Sequence, residues 1–164
     1  MASKVPIVRQ INWAATIPSI GIVILLLVIF STVNKRFAPL LSVLVFFSLT
    51  LLLRAVFTKF HMRGMKKVKQ KNFADAVQDF KDSKDYFEKN PNIDTYRSLF
   101  ILSMSRISYL EMAHLNIAFC YGQSGEGKKS EEWYRKTLDK FPKSEIAQAA
   151  LKSFNSMRES LKEE

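Results

Sequence analysis

Residues 42–72 have the sequence SVLVFFSLTLLLRAVFTKFHMRGMKKVKQKN, which is apolar at its start and strongly basic at its end. The apolar part belongs to a run over residues 38–57 whose only charge is Arg54, and an earlier run over residues 13–33 has no charge. At about 1.5 Å per residue, each run is long enough as a helix to cross the ~30 Å hydrocarbon core of a bilayer. The sequence therefore predicts two transmembrane helices, 13–33 and 38–57, in a membrane anchor of residues 1–57. A cleaved signal peptide is the alternative for the first run, but no small-residue cleavage site follows it and a second apolar run comes at once.

The connection between the two runs is only Asn34-Lys35-Arg36-Phe37, which predicts an antiparallel hairpin with both chain ends on one side of the membrane. Lys4 and Arg9 precede the hairpin, and further basic residues follow it closely. Because basic residues accumulate on the cytoplasmic side, both termini are expected in the cytoplasm or its topological equivalent. A bacterial inner membrane and an organelle membrane are not distinguished by this argument.

Charge is segregated along the chain. The first 74 residues contain 11 Lys and Arg and no acidic residue, whereas the remainder contains 14 basic and 15 acidic residues. The formal charge of +10 is thus a property of the membrane-proximal part, which favours anionic lipids as a partner and argues against nucleic acid. The residues expected to contact headgroups and set the topology are Arg54, Lys59, Arg63, Lys66, Lys67, Lys69 and Lys71. A docking site for an acidic protein is the alternative for this cluster.

The periodicity beyond residue 57 is helical throughout, which predicts an all-α protein: a transmembrane hairpin followed by a helical domain over residues 58–164. Asn90-Pro91-Asn92 should end a first amphipathic helix, because proline is excluded from helix interiors. A single long helix is expected over residues 93–121, although a break around residues 103–108 stays open. Further helices are expected over residues 129–140 and 144–161.

Residues 113–142, AHLNIAFCYGQSGEGKKSEEWYRKTLDKFP, resemble a tetratricopeptide repeat, a helix pair with large, small, turn and closing-proline positions at fixed spacing. The unit spans about 111–144 and departs mildly from the pattern at His114 and Ser130. The positions that match, and that the resemblance implies are used in packing, are Ile117, Ala118, Tyr121, Gly125, Ser130, Tyr134, Leu138 and Pro142. A weaker copy spans about 57–91, 54 residues upstream, with Phe60, Gly64, Phe73, Ala76, Phe80 and Ser83 at the corresponding places and with Arg63 and Lys67 where apolar residues are expected.

The resemblance implies a domain that binds a protein partner in a groove of helix faces, and by position the groove residues would be Asn116, Phe119 and Gln123. Phe100 and Met104 lie in a run that is apolar around much of the expected long helix. Such a helix must be covered on more than one side, which predicts contact with a partner and leaves a homo- or hetero-oligomer open.

The expected function is a membrane-anchored adaptor or assembly factor that recruits a protein partner. Two alternatives stay open: an accessory structural subunit of a membrane complex, and a pore formed by oligomerised hairpins. No catalysis, cofactor or metal is expected, because the two histidines and one cysteine form no metal-ligand spacing and no nucleophile–base pair or phosphate-binding loop is found.

Overall fold

The computed structural model describes residues 12–163, with side chains described to residue 160, and this part of the chain contains helices and no strand. Lys4 and Arg9, which contributed to the predicted topology, lie outside the described residues. The described chain forms two compact units, which we call the hairpin unit (residues 12–59 and 90–108) and the helical unit (residues 60–89 and 109–163). The boundary expected at residues 57/58 placed all of 58–164 in one domain, so the chain returns to the hairpin unit at residues 90–108 in a way that the sequence did not suggest.

The hairpin unit begins with a 3-10 helix, Trp13–Thr16, followed by α1 (Ile17–Val33) and α2 (Ala38–Phe57). Both helices are long and apolar enough to cross a membrane, in agreement with the predicted spans. The Asn34 side chain closes the link by accepting a 3.0 Å hydrogen bond from the Arg36 backbone N–H. Prolines fall at the second position of each helix, where no intrahelical hydrogen bond is lost. The only buried residues of α2 are the small Ala38 and Ser42, one helical turn apart.

A short interruption separates the second apolar helix from the basic segment that follows. No proline or glycine pair separates the two in the sequence, and one continuous helix was therefore expected. Instead, α2 ends at Phe57 and α3 (Lys59–Lys69) begins after one bent residue, Thr58. The Thr58 hydroxyl donates a 2.7 Å bond to the Arg54 carbonyl, which its own N–H also contacts at 2.9 Å. Side-chain bonding back to the preceding turn commonly bends a helix.

The helical unit consists of α3, α4 (Phe73–Lys89), α7 (Tyr109–Gln123), α8 (Gly127–Lys140) and α9 (Glu145–Glu163). Helix α7 packs against α4 and α8, and α8 packs against α9. The core is formed by five buried residues of α4 and α7: Ala76, Val77, Phe80, Ile117 and Cys120. As expected, α4 ends immediately before Asn90-Pro91.

Small residues allow close helix contacts at corresponding places in both proposed repeat units. A Cβ atom at Gly64 of α3 would lie 2.8 Å from the ring of Phe80 in α4. In the second unit, Ala118 of α7 takes the place of Gly64, and its carbonyl accepts a 2.8 Å bond from the hydroxyl of Ser130 in α8. Ala118 and Ser130 are both fully buried, so each unit brings its two helices together through residues of minimal size.

The expectation of one long helix over residues 93–121 was wrong. The chain forms two short helices, α5 (Pro91–Thr95) and α6 (Arg97–Phe100), then an irregular segment to residue 108, and then α7. Leu102 has a φ of +50°, a left-handed conformation that a helix cannot contain. The guanidinium of Arg97 stabilises the irregular segment by donating to the carbonyls of Asp94, Ser105 and Arg106 at 2.9–3.1 Å. These bonds satisfy carbonyl groups that a continuous helix would have paired internally.

The contact between Gly64 and Phe80 leads to a first prediction. A Gly64→Ala substitution should destabilise the protein by about 1–3 kcal/mol, because its methyl group overlaps the Phe80 ring. Thermal unfolding of the full chain in mild detergent, followed by circular dichroism, measures the effect. The matched control is Gly127→Ala, where a Cβ meets nothing within 4 Å and a change within about 0.5 kcal/mol is expected. Equal melting temperatures for the two variants would show that α3 does not pack on α4 as closely as described.

Candidate functional site

A cleft of about 280 Å³ opens on the helical unit between α7, α8 and α9. Its apolar lining includes Phe119 of α7, Tyr134 of α8, and Phe154 and Met157 of α9. Phe119 and Met157 are 40% and 60% exposed, which is unusual for large apolar side chains grouped around one depression. Gln123 and Ser153 add polar groups to the lining. The cleft is therefore an apolar surface with hydrogen-bonding groups beside it.

Contacts beneath the cleft hold its lining in place. The Phe119 ring packs edge-on against Phe73 at 6.0 Å between centroids, and the rings of Tyr134 and Phe154 lie 6.3 Å apart. A Cβ atom at Gly122 would lie 3.1 Å from the Ser130 hydroxyl, so only a residue without a side chain fits there without displacement. The aromatic groups thus rest on a tightly packed base, which lowers the entropy that a partner would have to remove on binding.

The predicted partner-binding residues are not all brought together. Phe119 and Gln123 both line the cleft. Asn116 is half-buried and does not line it; its amide lies 3.9 Å from the sulfur of Met65 in α3. Phe100 and Met104 belong to the hairpin unit and take no part in this cleft.

The residues assigned to repeat packing fall into buried and turn positions. Ile117, Ala118 and Ser130 are buried, and Tyr121, Tyr134 and Leu138 are half-buried. Gly125 has a φ of +79° in the turn between α7 and α8, a conformation that glycine adopts without a steric cost. The remaining position, Pro142, is exposed just after the end of α8.

Sequence reasoning missed the contribution of α9 to the cleft. Ala150, Phe154 and Met157 belong to the apolar stripe of this helix, and the stripe was interpreted as packing alone. In the structure Ala147 and Leu151 are buried on this helix, whereas Met157 is exposed. The available signal was the length of the stripe, which extends beyond what α8 can cover.

A buried carboxylate and two basic residues link α3 with α4. Asp79 is 1% exposed, and its two oxygens lie 2.5 Å from the Arg63 guanidinium and 2.8 Å from the Lys67 amine. Burial by itself raises the pKa of Asp79, but the hydrogen bonds and charges of Lys67 and Arg63 outweigh it and hold this pKa below the ordinary value. The apparent departures from the repeat pattern at Arg63 and Lys67 therefore have a partner in Asp79.

The other predicted headgroup residues differ in their surroundings. The side chains of Lys59, Lys66, Lys69 and Lys71 are exposed, while Arg54 donates from its guanidinium to the Leu102 carbonyl at 3.5 Å. Contact of this cluster with lipid stays a prediction.

Both histidines are buried in aromatic surroundings. His61 lies edge-on to Phe80 and Tyr109, and His114 lies edge-on to Trp133 and Phe141, at centroid distances of 5.4–5.9 Å. Burial lowers the pKa of each imidazole from 6.5 to about 4. Both rings are therefore neutral at pH 7 and pack as part of the core.

The remaining reactive groups do not assemble into a chemical site within the described residues. Burial raises the pKa of the Cys120 thiol to about 11, which leaves it a poor nucleophile. Among residues 12–163 there is no group of three or more His, Cys, Asp or Glu side chains placed to hold a metal ion.

Comparison of the chain with protein-family models, with curated proteins and with solved structures gives no match. The cleft and the two units are therefore interpreted from their own geometry.

The buried Asp79 cluster gives a prediction about the order of two variants. Asp79→Asn should cost about 1–2 kcal/mol, because Arg63 and Lys67 are left near solvent and can be hydrated. Replacing both basic residues with Ala should cost more, about 3–5 kcal/mol, because an unpaired carboxylate is then buried. The measurement is thermal unfolding of the full chain in detergent at neutral pH. A less stable Asp79→Asn variant than the double Ala variant would contradict this account.

The sign of the Asp79 effect fixes its pH range. A carboxylate with a lowered pKa stabilises the folded state above the unfolded pKa of 3.8 and loses this contribution as the pH falls through its folded value. The difference between wild type and Asp79→Asn should therefore be constant near neutral pH and shrink only below about pH 4.

The buried histidines predict a separate loss of stability in a higher pH range. Because their folded pKa of about 4 lies below the unfolded 6.5, the unfolded chain binds more protons between these values, and stability falls as the pH drops through that range. Each histidine contributes a slope of at most about 1.4 kcal/mol per pH unit. His114→Phe keeps an aromatic ring and should remove roughly half of this slope in a melting series between about pH 6 and 4.5. An unchanged slope would show that His114 is protonated in the folded protein.

Proposed function

We propose that this protein is a membrane-anchored adaptor whose helical unit binds a protein partner through the cleft between α7, α8 and α9. Helices α1 and α2 supply the anchor, and catalysis is not part of the proposal. The role is recruitment of a partner to a membrane or its retention during assembly of a complex.

The observation that carries the proposal is the grouping of exposed apolar side chains at the cleft. Interface hot spots are commonly well-packed pockets with aromatic residues at the centre and polar groups around them. Phe119, Tyr134 and Phe154 provide the aromatic lining, and Gln123 and Ser153 provide hydrogen-bonding groups. With a volume of about 280 Å³, the cleft suits one or two apolar side chains of a peptide better than a larger ligand.

The order of packing in the helical unit supports the resemblance to a tetratricopeptide repeat. In the proposed arrangement, α3 with α4 and α7 with α8 are successive repeat units, and α9 covers the last one. Small residues lie 54 positions apart at the close contacts of both pairs, Gly64 with Ala118 and Ala76 with Ser130, and all four are buried. Repeats of this kind stack their helices into an extended binding surface, which is the use proposed for the cleft.

The surface of the hairpin supports the anchor. Large apolar side chains are more than half exposed along both helices, among them Ile24, Val28, Phe47 and Leu52. A helix that is apolar on every side needs an apolar environment, and a bilayer provides one without a protein partner. Both chain ends are proposed to lie on the cytoplasmic or equivalent side, on the basis of the basic residues that follow α2.

The proposal predicts crosslinking that is specific to the cleft. A photoreactive amino acid at Ser153, beside the cleft, should form an adduct with a discrete protein in native membranes. The same amino acid at Met62, which is 57% exposed on α3 and does not line the cleft, should not form this adduct. Adding Phe119→Ala to the Ser153 probe should weaken capture by about 5- to 30-fold, as expected for the loss of a hot-spot side chain.

The same experiment addresses the accessory-subunit alternative, in which the spans make the essential contacts. In that case subunits would copurify with the full chain in mild detergent whether or not Phe119→Ala is present. Equal capture by probes at Ser153 and Met62, or capture that is insensitive to Phe119→Ala, would remove the basis for the adaptor.

A further inference from the structure

The segment from Tyr96 to Met104 packs on the ends of the two apolar helices within the hairpin unit. The Asn12 backbone N–H, just before the first predicted span, donates a 2.9 Å bond to the Met104 carbonyl. Near the end of the second span, the Arg54 guanidinium donates to the Leu102 carbonyl at 3.5 Å, and the Phe57 ring lies 6.5 Å from that of Phe100. The segment therefore lies where the hairpin enters a bilayer, if the helices span one.

The outer surface of this segment is apolar. Tyr96, Leu99, Phe100 and Met104 are 43–54% exposed. Residues 90–108 contain a single acidic side chain, Asp94, and it is buried. Such a surface is costly in water and is continuous with the apolar surface of the spans.

Met104 extends this surface along the hairpin. It lines an apolar cleft of about 300 Å³ together with Ile20, Ile24 and Phe46. Ile24 is seven residues beyond the start of α1, so the cleft reaches about 10 Å along the helix axis. The segment thus shares a continuous apolar groove with residues expected inside the hydrocarbon region.

The irregular backbone of the segment is supplied with internal hydrogen bonds. Non-helical backbone at membrane depth is tolerated only where its polar groups are satisfied. The carbonyls of Leu102 and Met104 accept from Arg54 and Asn12, and Arg97 donates to three more carbonyls in the same region. The strained φ of Leu102 costs about 1–3 kcal/mol and is maintained by this set of bonds.

Aromatic residues flank the segment in the manner of a membrane interface. Trp13, at the start of the first predicted span, is 75% exposed, and Tyr96 is 54% exposed. Trp and Tyr concentrate at headgroup level, because each combines an apolar ring with a polar group.

We infer that residues 96–104 form a third membrane-contacting element, which inserts Leu99, Phe100 and Met104 into the interfacial region of a phospholipid bilayer. The inference rests on the anchoring role proposed for α1 and α2. It assigns Phe100 and Met104 to lipid, whereas a protein partner for these two residues is the competing outcome.

Depth-dependent fluorescence quenching in liposomes tests the inference. The full chain in a Cys120→Ala background carries one cysteine at a time, labelled with an environment-sensitive fluorophore and reconstituted into phosphatidylcholine–phosphatidylglycerol vesicles. Probes from Leu99→Cys and Met104→Cys should shift to shorter emission wavelength and lose most of their emission to a lipid spin-labelled near the headgroup. A probe from Met157→Cys, equally exposed but located in the helical unit, should keep its emission with this lipid and lose it to aqueous iodide.

A further probe separates failure of this inference from failure of the anchor. Phe47→Cys, on the exposed surface of α2, should be quenched by a lipid spin-labelled deep in the acyl chain. If Phe47 is quenched in this way while Leu99 and Met104 remain accessible to iodide, the third element is refuted, the anchor stands, and the exposed segment is left for a protein. If Phe47 is accessible to iodide as well, the anchor and the inference fall together.

Discussion

The packing of α7 against both α4 and α8 is the constraint on which the helical unit depends. A helix covered on two sides needs small or closely fitting residues on both, and α7 meets this need with fully buried Ala113, Ile117, Ala118 and Cys120. Only a narrow strip of α7 then remains outside the core, and Phe119 and Gln123 lie on it. The position of the cleft is thus a consequence of how the core is built, because the same helix supplies the centre of the core and one wall of the cleft.

The two proposed repeat units solve the same packing problem with different chemistry. In the second unit, Ile117 and Tyr121 of α7 face a region of α8 that contains Trp133. At the positions 54 residues earlier, the chain has Arg63, Lys67 and Asp79, which form a buried ion cluster. A buried ion cluster requires all of its members, since a single missing partner leaves an uncompensated charge. Residues that look like departures from the pattern one at a time are therefore a coordinated replacement when they are taken together.

Sequence periodicity was sufficient where helices are ended by local signals. The span over residues 38–57, the end of α4 before Asn90-Pro91 and the end of α8 at Lys140 all agree with expectation. It failed for residues 93–121, because Leu99 to Leu102 have helical composition while their conformation is set by Arg97 and by contacts with residues near position 54. Such long-range hydrogen bonds leave no periodic trace. Of the cleft, the α7 residues followed from the resemblance, whereas the α9 residues required the packing of α9 on α8 to be known.

The basic residues after α2 serve two stages of the protein's life in the proposed topology. During membrane insertion the helical unit is not yet folded, so Arg63 and Lys67 count with Lys66 and Lys69 among the charges that retain this end on the cytoplasmic side. After folding, Arg63 and Lys67 are occupied by Asp79, and their charge is largely neutralised at short range. Contact with anionic headgroups then falls to the exposed lysines at 66, 69 and 71. Substitutions at Arg63 and Lys67 should accordingly affect folding more than lipid binding, and substitutions at the exposed lysines should do the reverse.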